Sequence, residues 1–535
     1  MHRKNAIAIH ITESIHRGAS MRNGQRFFRN AALLAGVQLF LRFITVSFNT
    51  YVSAKMGAEG MGLVTLVMSV YGLSVTVAAS GVNLAAVRLS ARALSECECE
   101  DFAHGSARLR RVMRGCIAYS LLFGIGAAGI LFSASEVIGI HLLGDTRTIP
   151  SLRVLAVSLP AISLSSALAG YFTGVRRVYK NALVSVLEQF VKIALTASAL
   201  LLFAPAGIEY ACLAVVGGAA LAEGASMITA MLLYLRDSLR RRRGEPHSLP
   251  SAFSQVFHTA FPVAVGAYAR QGLVTAEHLA IPWGFRKNGA SATAALASYG
   301  VLHGMVYPLI FFPSAVLGAF AGLLVPEFTE FQARGERDKI RTIAEKVMGT
   351  SLLFAIGTAG IFLSFAYDLG TSLYPGTDAA LQLARIAPLI PVMYLDSAVD
   401  AMLKGLGEQV YCMRVNIADS LCCLLLVLLL IPRFGLAGYF FVQYTCELMN
   451  AALSISRLLQ VTGLRPRVGR WVIRPLLCVI FATSAIHFLS GFPSVPLIGA
   501  GGMCGVRIAA VILLYLLCLF LTENGLFFYK KRPHP

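Results

Sequence analysis

Along the chain, apolar residues come in blocks of about 17–25, the length a helix needs to cross a bilayer core. Short polar breaks marked by glycine and proline separate them. Fourteen blocks can be read, at approximately 27–50, 63–87, 115–135, 154–173, 182–203, 210–235, 254–280, 299–325, 347–367, 381–402, 415–432, 436–456, 475–491 and 507–522. The pattern predicts an all-α polytopic membrane protein of about 14 transmembrane helices. No polar segment between blocks exceeds about 30 residues, which leaves no room for an independent catalytic domain.

The blocks repeat. The stretch from Leu168 to Tyr210 is a basic, glycine-punctuated turn (Gly170, Gly174, Arg176, Arg177, Lys180) followed by an apolar helix carrying Glu188 and Lys192. Shifted by 231 positions, Gly174 falls on Gly405, Val184 on Val415, Glu188 on Asp419, Phe203 on Phe434, and Ala206-Gly207 on Ala437-Gly438. Arg42 in the first block and Arg270 in the seventh stand 228 apart. The expected organisation is a basic tail (1–26), a first six-helix lobe (27–235), a linker (236–253), a second lobe (254–456), a basic loop (457–474), helices 13 and 14 (475–522) and a tail (523–535). Helices 13 and 14 have no partner in the repeat. Six spans per lobe make the repeat parallel, with a cleft between lobes as the expected substrate site.

Composition agrees: 56% of residues are hydrophobic and 14% charged. No signal-peptide pattern precedes the first block, and with Met21 a candidate start the basic tail is not expected to be part of the fold. The net charge of +19 is a topology signal. With the N-terminus inside, only Lys55, Arg147, Arg153, Arg286, Lys287, Arg385, Arg433 and Arg507 of the 46 Lys and Arg fall in exterior segments, and Arg42, Lys192 and Arg270 lie within spans. That asymmetry places both termini in the cytoplasm. The strongest charge run, Arg236–Arg243, reads as the linker between lobes, and a nucleic-acid partner has no soluble basic domain to bind. The eleven cysteines carry little: Cys97, Cys99 and His104 form an incomplete zinc set, and no metal site is expected.

A charge at mid-bilayer costs roughly 2.5–3.5 kcal/mol on insertion scales, so charges inside blocks are functional candidates. Arg42 and Arg270 would face each other across the cleft, and two planar guanidinium forks suit a diphosphate. The alternative is neutralisation by a nearby acid such as Glu277, seven residues after Arg270. Glu188 and Lys192 stand at i and i+4, an order that favours a self-paired couple as much as binding. Glu223 and Glu447, each in the sixth helix of its lobe, could carry a coupling ion or pair with arginines. Asp396, Asp400 and Asp419 are placed near cytoplasmic span ends, where hydration makes them cheap. His278 and His303 read as single, structural imidazoles. Pro262, Pro308, Pro313 and Pro326 would kink spans seven and eight. No Walker A loop, H-E-x-x-H or G-x-S-x-G is present, so transport rather than catalysis is expected.

The run Leu168-Ala169-Gly170-Tyr171-Phe172-Thr173-Gly174, followed by Val186-Leu187-Glu188-Gln189, resembles the "RGYFQG…EQ" signature of the stage V sporulation protein B-like, polysaccharide-exporter branch of the multidrug/oligosaccharidyl-lipid/polysaccharide superfamily. Ile281-Pro282, the run from Gly304 to Glu330, and Leu430 to Gly438 extend the likeness. It implies two six-helix lobes forming a V, and outward movement of an undecaprenyl-pyrophosphate-linked saccharide across a bacterial plasma membrane. A peptidoglycan precursor for spore cortex is the favoured cargo. Arg42 falls on the family's first-helix arginine; Asn49, Ala54 and Ala169 stand where the family has others. Substrate binding is therefore expected at Arg42, Arg270, Lys192 and Glu277, and coupling at Glu188, Glu223 and Glu447. Beyond a coupling H+ or Na+, no cofactor is expected. Membrane lipid and cell-wall synthesis proteins are the further partners implied, and the chain is expected to be a monomer. A cation-coupled drug exporter of the same superfamily is the alternative. An intramembrane transferase is disfavoured because its exterior loops (136–153, 281–298) carry few charged groups.

Overall fold

The computed structural model describes residues 2–95, 102–239, 252–490 and 500–529. Cys97, Cys99, residues 240–243 of the Arg236–Arg243 run and the last tail residues lie outside them. The described residues form sixteen α-helices and no strand. In hydrocarbon every backbone N–H and C=O must be satisfied within the segment, and the helix does so alone.

The helices are α1 (His2–Ala79), α2 (Val82–Ser95), α3 (Phe102–Val137), α4 (Ile149–Gly174), α5 (Val178–Phe203), α6 (Ile208–Leu239), α7 (Ala252–Lys287) and α8 (Ala292–Tyr299). They continue with α9 (Tyr307–Ala333), α10 (Arg337–Ser364), α11 (Ala366–Leu373), α12 (Ala379–Ile386), α13 (Ile390–Gly405), α14 (Gln409–Thr462), α15 (Arg474–Ser490) and α16 (Ala500–Tyr529). Among the described residues, eleven stretches are long and apolar enough to cross a membrane. Two of them, Leu39–Leu94 and Gln409–Thr462, run 56 and 54 residues, about twice one crossing. They contain non-helical breaks at Gly57 and Gly435. Counting each as two crossings and adding the more polar α7 recovers the fourteen spans expected. The basic tail is helical backbone continuous with α1 from His2 onward.

In the first half, α2 to α6 pack on one another and on α1; in the second, α7, α9, α10, α13 and α14 do the same, with α15 and α16 docked against α10. The 231-residue offset carries geometry as well as residues. Gly174 ends α4, and a Cβ there would sit 2.9 Å from the Val87 carbonyl of α2; Gly405 ends α13, and a Cβ there would sit 2.9 Å from the Val325 carbonyl of α9. One turn later Arg176 (φ 58°) and its counterpart Gly407 (φ 79°) both take the left-handed conformation. Each turn is then clamped to the closing helix of its half. Arg177 and Lys180 both reach Asp237 Oδ1, at 2.6 and 2.5 Å, and Arg457 reaches Glu408 at 2.8 Å. The first clamp has bases on the turn and an acid on the helix, and the second reverses them.

The halves meet through α1, α2 and α3 against α7, α8 and α9. At the side away from the basic turns the backbones touch. A Cβ on Gly62 would lie 2.1 Å from the Leu296 carbonyl oxygen, and one on Gly300 2.2 Å from that of Ala58. Asn49 Nδ2 donates to the Gly304 carbonyl at 2.5 Å, and Arg286 packs on Gly144 of the α3–α4 connection. Toward the basic side α7 stays packed on α2 and α3, through Gly81 against Ala260 and Gly115 against Ala252. The α1–α9 seam parts there: beyond the Phe43–Phe312 ring contact at 6.0 Å, Gly36 and Gly318 have open space around them. Gly300→Val should therefore wedge the seam and cost about 1–3 kcal/mol, as overpacking does. Thermal unfolding in detergent should show a lowered midpoint for it and none for Gly126→Ala, whose Cβ meets nothing within 4 Å.

Candidate functional site

Both intramembrane arginines are exposed, and neither makes an ion pair among the described residues. Arg42 precedes Phe43, where the α1–α9 seam begins to part. One turn further, Thr45 accepts from Gln189 Nε2 of α5 at 3.2 Å, so this part of α1 lies along the helix that carries Glu188. Arg270 lies within the field of Asp419 on α14, again the fifth helix of its half. Neutralisation by Glu277 does not occur: Glu277 Oε1 instead accepts from the Cys423 thiol at 3.2 Å.

The first half gathers its acids between α5 and α6. Glu188 Oε2 accepts from Ser226 Oγ at 2.9 Å, and Glu223 feels both Glu188 and Lys192. The self-paired Glu188–Lys192 couple is not formed, because Glu188 turns toward α6. Tyr71 of α1, hydrogen-bonded to Ser158 at 2.5 Å, closes the group.

The second half gathers more. Glu277 of α7, Asp396 of α13, and Asp419 and Glu447 of α14 act on one another electrostatically. Glu447 Oε1 accepts from Gln443 at 3.3 Å and Asp396 Oδ2 from Asn450 at 3.1 Å. Oδ1 of Asp396 and of Asp419 is buried with no donor among the described residues. This corrects the expectation that hydration makes these aspartates cheap: one oxygen of each is buried in the helix packing, and of the three only Asp400 forms an ion pair, with Lys404 at 2.5 Å. Span-end position concealed this, whereas the Glu188–Asp419 correspondence signalled it.

The two histidines, expected singly, are brought together. Their rings lie 4.8 Å apart within a cluster of tyrosines from α8, α9 and α14. No sequence spacing indicated it, since Tyr439 joins from 136 residues beyond His303.

An apolar groove of about 660 Å³ runs between α10, α13, α14 and α15, lined by Ile356, Leu363, Val392, Leu448, Leu476 and Ile480 among others. It lies where the unrepeated helices meet the second half. Among the described residues no cluster of metal-ligating side chains is found.

Comparison with known proteins places this geometry. Residues 27–276 match the family described as polysaccharide biosynthesis protein. Over 523 residues the chain is 24% identical to stage V sporulation protein B of Bacillus subtilis (strain 168), covering 94% of this chain and 97% of that protein. Sporulation protein YkvU of the same organism is 21% identical over 400 residues, covering 71% of this chain and 83% of that one. The resemblance drawn from the 168–189 signature is thereby borne out. In fold, the chain is similar to the lipid II flippase MurJ in an inward closed conformation, with a TM-score of 0.67, 14% identity, and coverage of 93% of this chain and 100% of that one. It is also similar to an inward-facing multidrug resistance transporter of the MATE family, with a TM-score of 0.62, 15% identity, and coverage of 80% and 97%. The chain is a multi-pass helical membrane protein of transporter fold.

Carboxylates that act on one another in a low-dielectric interior repel. Glu447→Gln should relieve that strain and stabilise the protein by about 1 kcal/mol, the usual scale when a functional group is traded for stability. Thermal unfolding in detergent should show a raised midpoint; a lowered one would mean that the acid is a structural partner.

Proposed function

Starting from that likeness, we propose that the chain is a flippase that moves an undecaprenyl-pyrophosphate-linked saccharide from the inner to the outer leaflet of a bacterial plasma membrane by alternating access. The peptidoglycan precursor used for spore cortex is the favoured cargo. The observation that carries this reading is the pair of intramembrane guanidiniums, Arg42 and Arg270, which form no ion pair among the described residues. A charge at that depth needs an anion or water, and a diphosphate supplies the first with geometry that two arginine forks match. The groove at α15 adds support, since its apolar walls suit a polyprenyl tail while the head group occupies the cleft. Lys192 and Glu277 would contact the head group as the arginines swing. A coupling ion would be taken up at Glu188, Glu223 and Glu447. Both termini lie in the cytoplasm on this reading, with the protein acting as a monomer, without a cofactor and as a transporter rather than an enzyme.

The buried acids of the first half favour one other reading, a cation-coupled drug exporter. In proteoliposomes holding labelled undecaprenyl-pyrophosphate-linked disaccharide, Arg42→Ala and Arg270→Ala should each slow its appearance in the outer leaflet about ten- to a hundredfold, the worth of a lost charge-assisted contact. Undiminished flipping in both variants would remove the arginines from the cleft chemistry. Drug efflux that Glu223→Gln abolishes, in vesicles that flip nothing, would select the exporter.

A further inference from the structure

On the basic side of the molecule, α7 of the second half is held against the first half at two glycines. Ala252, where α7 begins, seats on Gly115 of α3, and Ala260, two turns on, seats on Gly81 just before α2. The turns between those contacts border a pocket of about 270 Å³. Three helix faces meet there, each at the spacing that stacks side chains on one side of a helix. Leu89, Arg92 and Ala93 come from α2, Arg108 and Val112 from α3, and Gln255 and Thr259 from α7. Arg42 and Arg270 are not among its walls.

The lining has the chemistry of an anion site. A guanidinium presents a planar fork of N–H donors that matches phosphate oxygens, and here two forks come from two different helices. The Gln255 amide adds an uncharged donor, whereas the Thr259 hydroxyl is spent on the Gln255 carbonyl at 2.8 Å. Helix geometry sorts the neighbouring charges: Arg110 and Arg114, on another side of α3, act on Tyr234 of α6. No carboxylate opposes the pocket arginines from the helices that build it, since α2 carries none, α3 none before Glu136 and α7 none before Glu277. In sequence the connection from α2 to α3, outside the described residues, adds Glu96, Glu98, Glu100 and Asp101. Arg88, Arg92, Arg108, Arg110, Arg111 and Arg114 outnumber them. Basic pockets between helices at an inner membrane face take phosphate-bearing head groups.

We propose that this pocket binds a phosphate group, with Arg92 and Arg108 as its charged donors and Gln255 as a neutral one, and that the bound group ties α7 to α2 and α3. The ligand bridges the two halves on the side where the α1–α9 seam has parted, so its occupancy favours the arrangement described above. Two sources carry this chemistry. One is the head group of an anionic phospholipid whose acyl chains stay in the bilayer, and the other is a phosphate dissolved on the same side. The proposal needs the fold and nothing from the identity of the cargo.

A ligand that binds only the folded protein raises its unfolding midpoint with concentration. The full-length chain in neutral detergent is therefore titrated at constant ionic strength with inorganic phosphate, or with dioleoylphosphatidylglycerol in mixed micelles. Dioleoylglycerol, which lacks the phosphate, is the blank. The parent's midpoint should rise with the phosphate or with the phospholipid. The double variant R92Q/R108Q should bind the same probe about tenfold more weakly or worse, the worth of a lost charge-assisted contact. R88Q/R114Q, which removes the same charge from the same two helices outside the pocket, should bind as the parent does. A response to the phospholipid alone assigns the site to a head group, and a response to inorganic phosphate assigns it to a soluble one. A parent that answers neither probe, or answers the blank equally, overturns the proposal. So does R92Q/R108Q binding like the parent, or R88Q/R114Q losing as much as R92Q/R108Q. Should R92Q/R108Q fail to fold, Gln255→Glu sets a carboxylate in the pocket and must weaken binding about tenfold; an unchanged affinity overturns the proposal equally. Amide hydrogen exchange reads the tie between the halves: the bound probe should slow exchange across residues 252–262 of α7, and no slowing there overturns it.

Discussion

The architecture depends on backbone meeting backbone at Gly62 and Gly300. Lipid tails are as apolar as leucine, so helices in a bilayer gain little from burying apolar surface against each other and associate through close packing instead. Here the packing is close enough that a single methyl group would overlap a carbonyl oxygen. That contact joins the halves on one side and lets the α1–α9 seam part on the other, past Phe43 and Phe312. It also fixes where irregular helix is tolerated, because the π-helical turn at Gly300–Val306 is buried in protein rather than exposed to lipid.

Within this frame the duplication distributes charge twice. Glu188 and Glu223 stand between the fifth and sixth helices of the first half, and Asp419 and Glu447 take the corresponding places in the second. The two sets differ. The first keeps Lys192 among its acids, while the second adds Glu277 and Asp396 and a set of phenols and imidazoles with no counterpart. One acid cluster thus holds a lysine within it, while the other gathers four carboxylates with Arg270 acting on Asp419, and a transport cycle can draw on that inequality.

The helical class and the fourteen crossings were legible because crossing a bilayer demands long apolar blocks, and length is a property of sequence alone. The repeat was legible at the α4–α5 and α13–α14 turns because left-handed backbone and close helix contact restrict residue choice at Gly174, Gly405 and Gly407. Arginine at 176 shows the limit of that signal, since it takes the same left-handed conformation as Gly407 without announcing it. The second acidic cluster was hidden by depth. Asp396 and Asp419 sit near block ends, and only the packing of α13 on α14 reveals that they point inward. The histidine–tyrosine cluster could not be read at all, because it joins α7, α8, α9 and α14 across distances that no local periodicity records.

The reversed clamps at the two basic turns bear on how the chain assembles. In the first half Arg177 and Lys180 hold Asp237; in the second Glu408 holds Arg457. Repeats this alike in shape could exchange hairpins while the second is still being made, docking the turn of one onto the closing helix of the other. Any such exchange sets Arg177 and Lys180 against Arg457, or Glu408 against Asp237, and like charges at a partly buried site penalise the wrong pairing. The polarity reversal therefore works as an address, letting each copy recognise its own pieces and keeping a duplicated chain from folding into its own repeat.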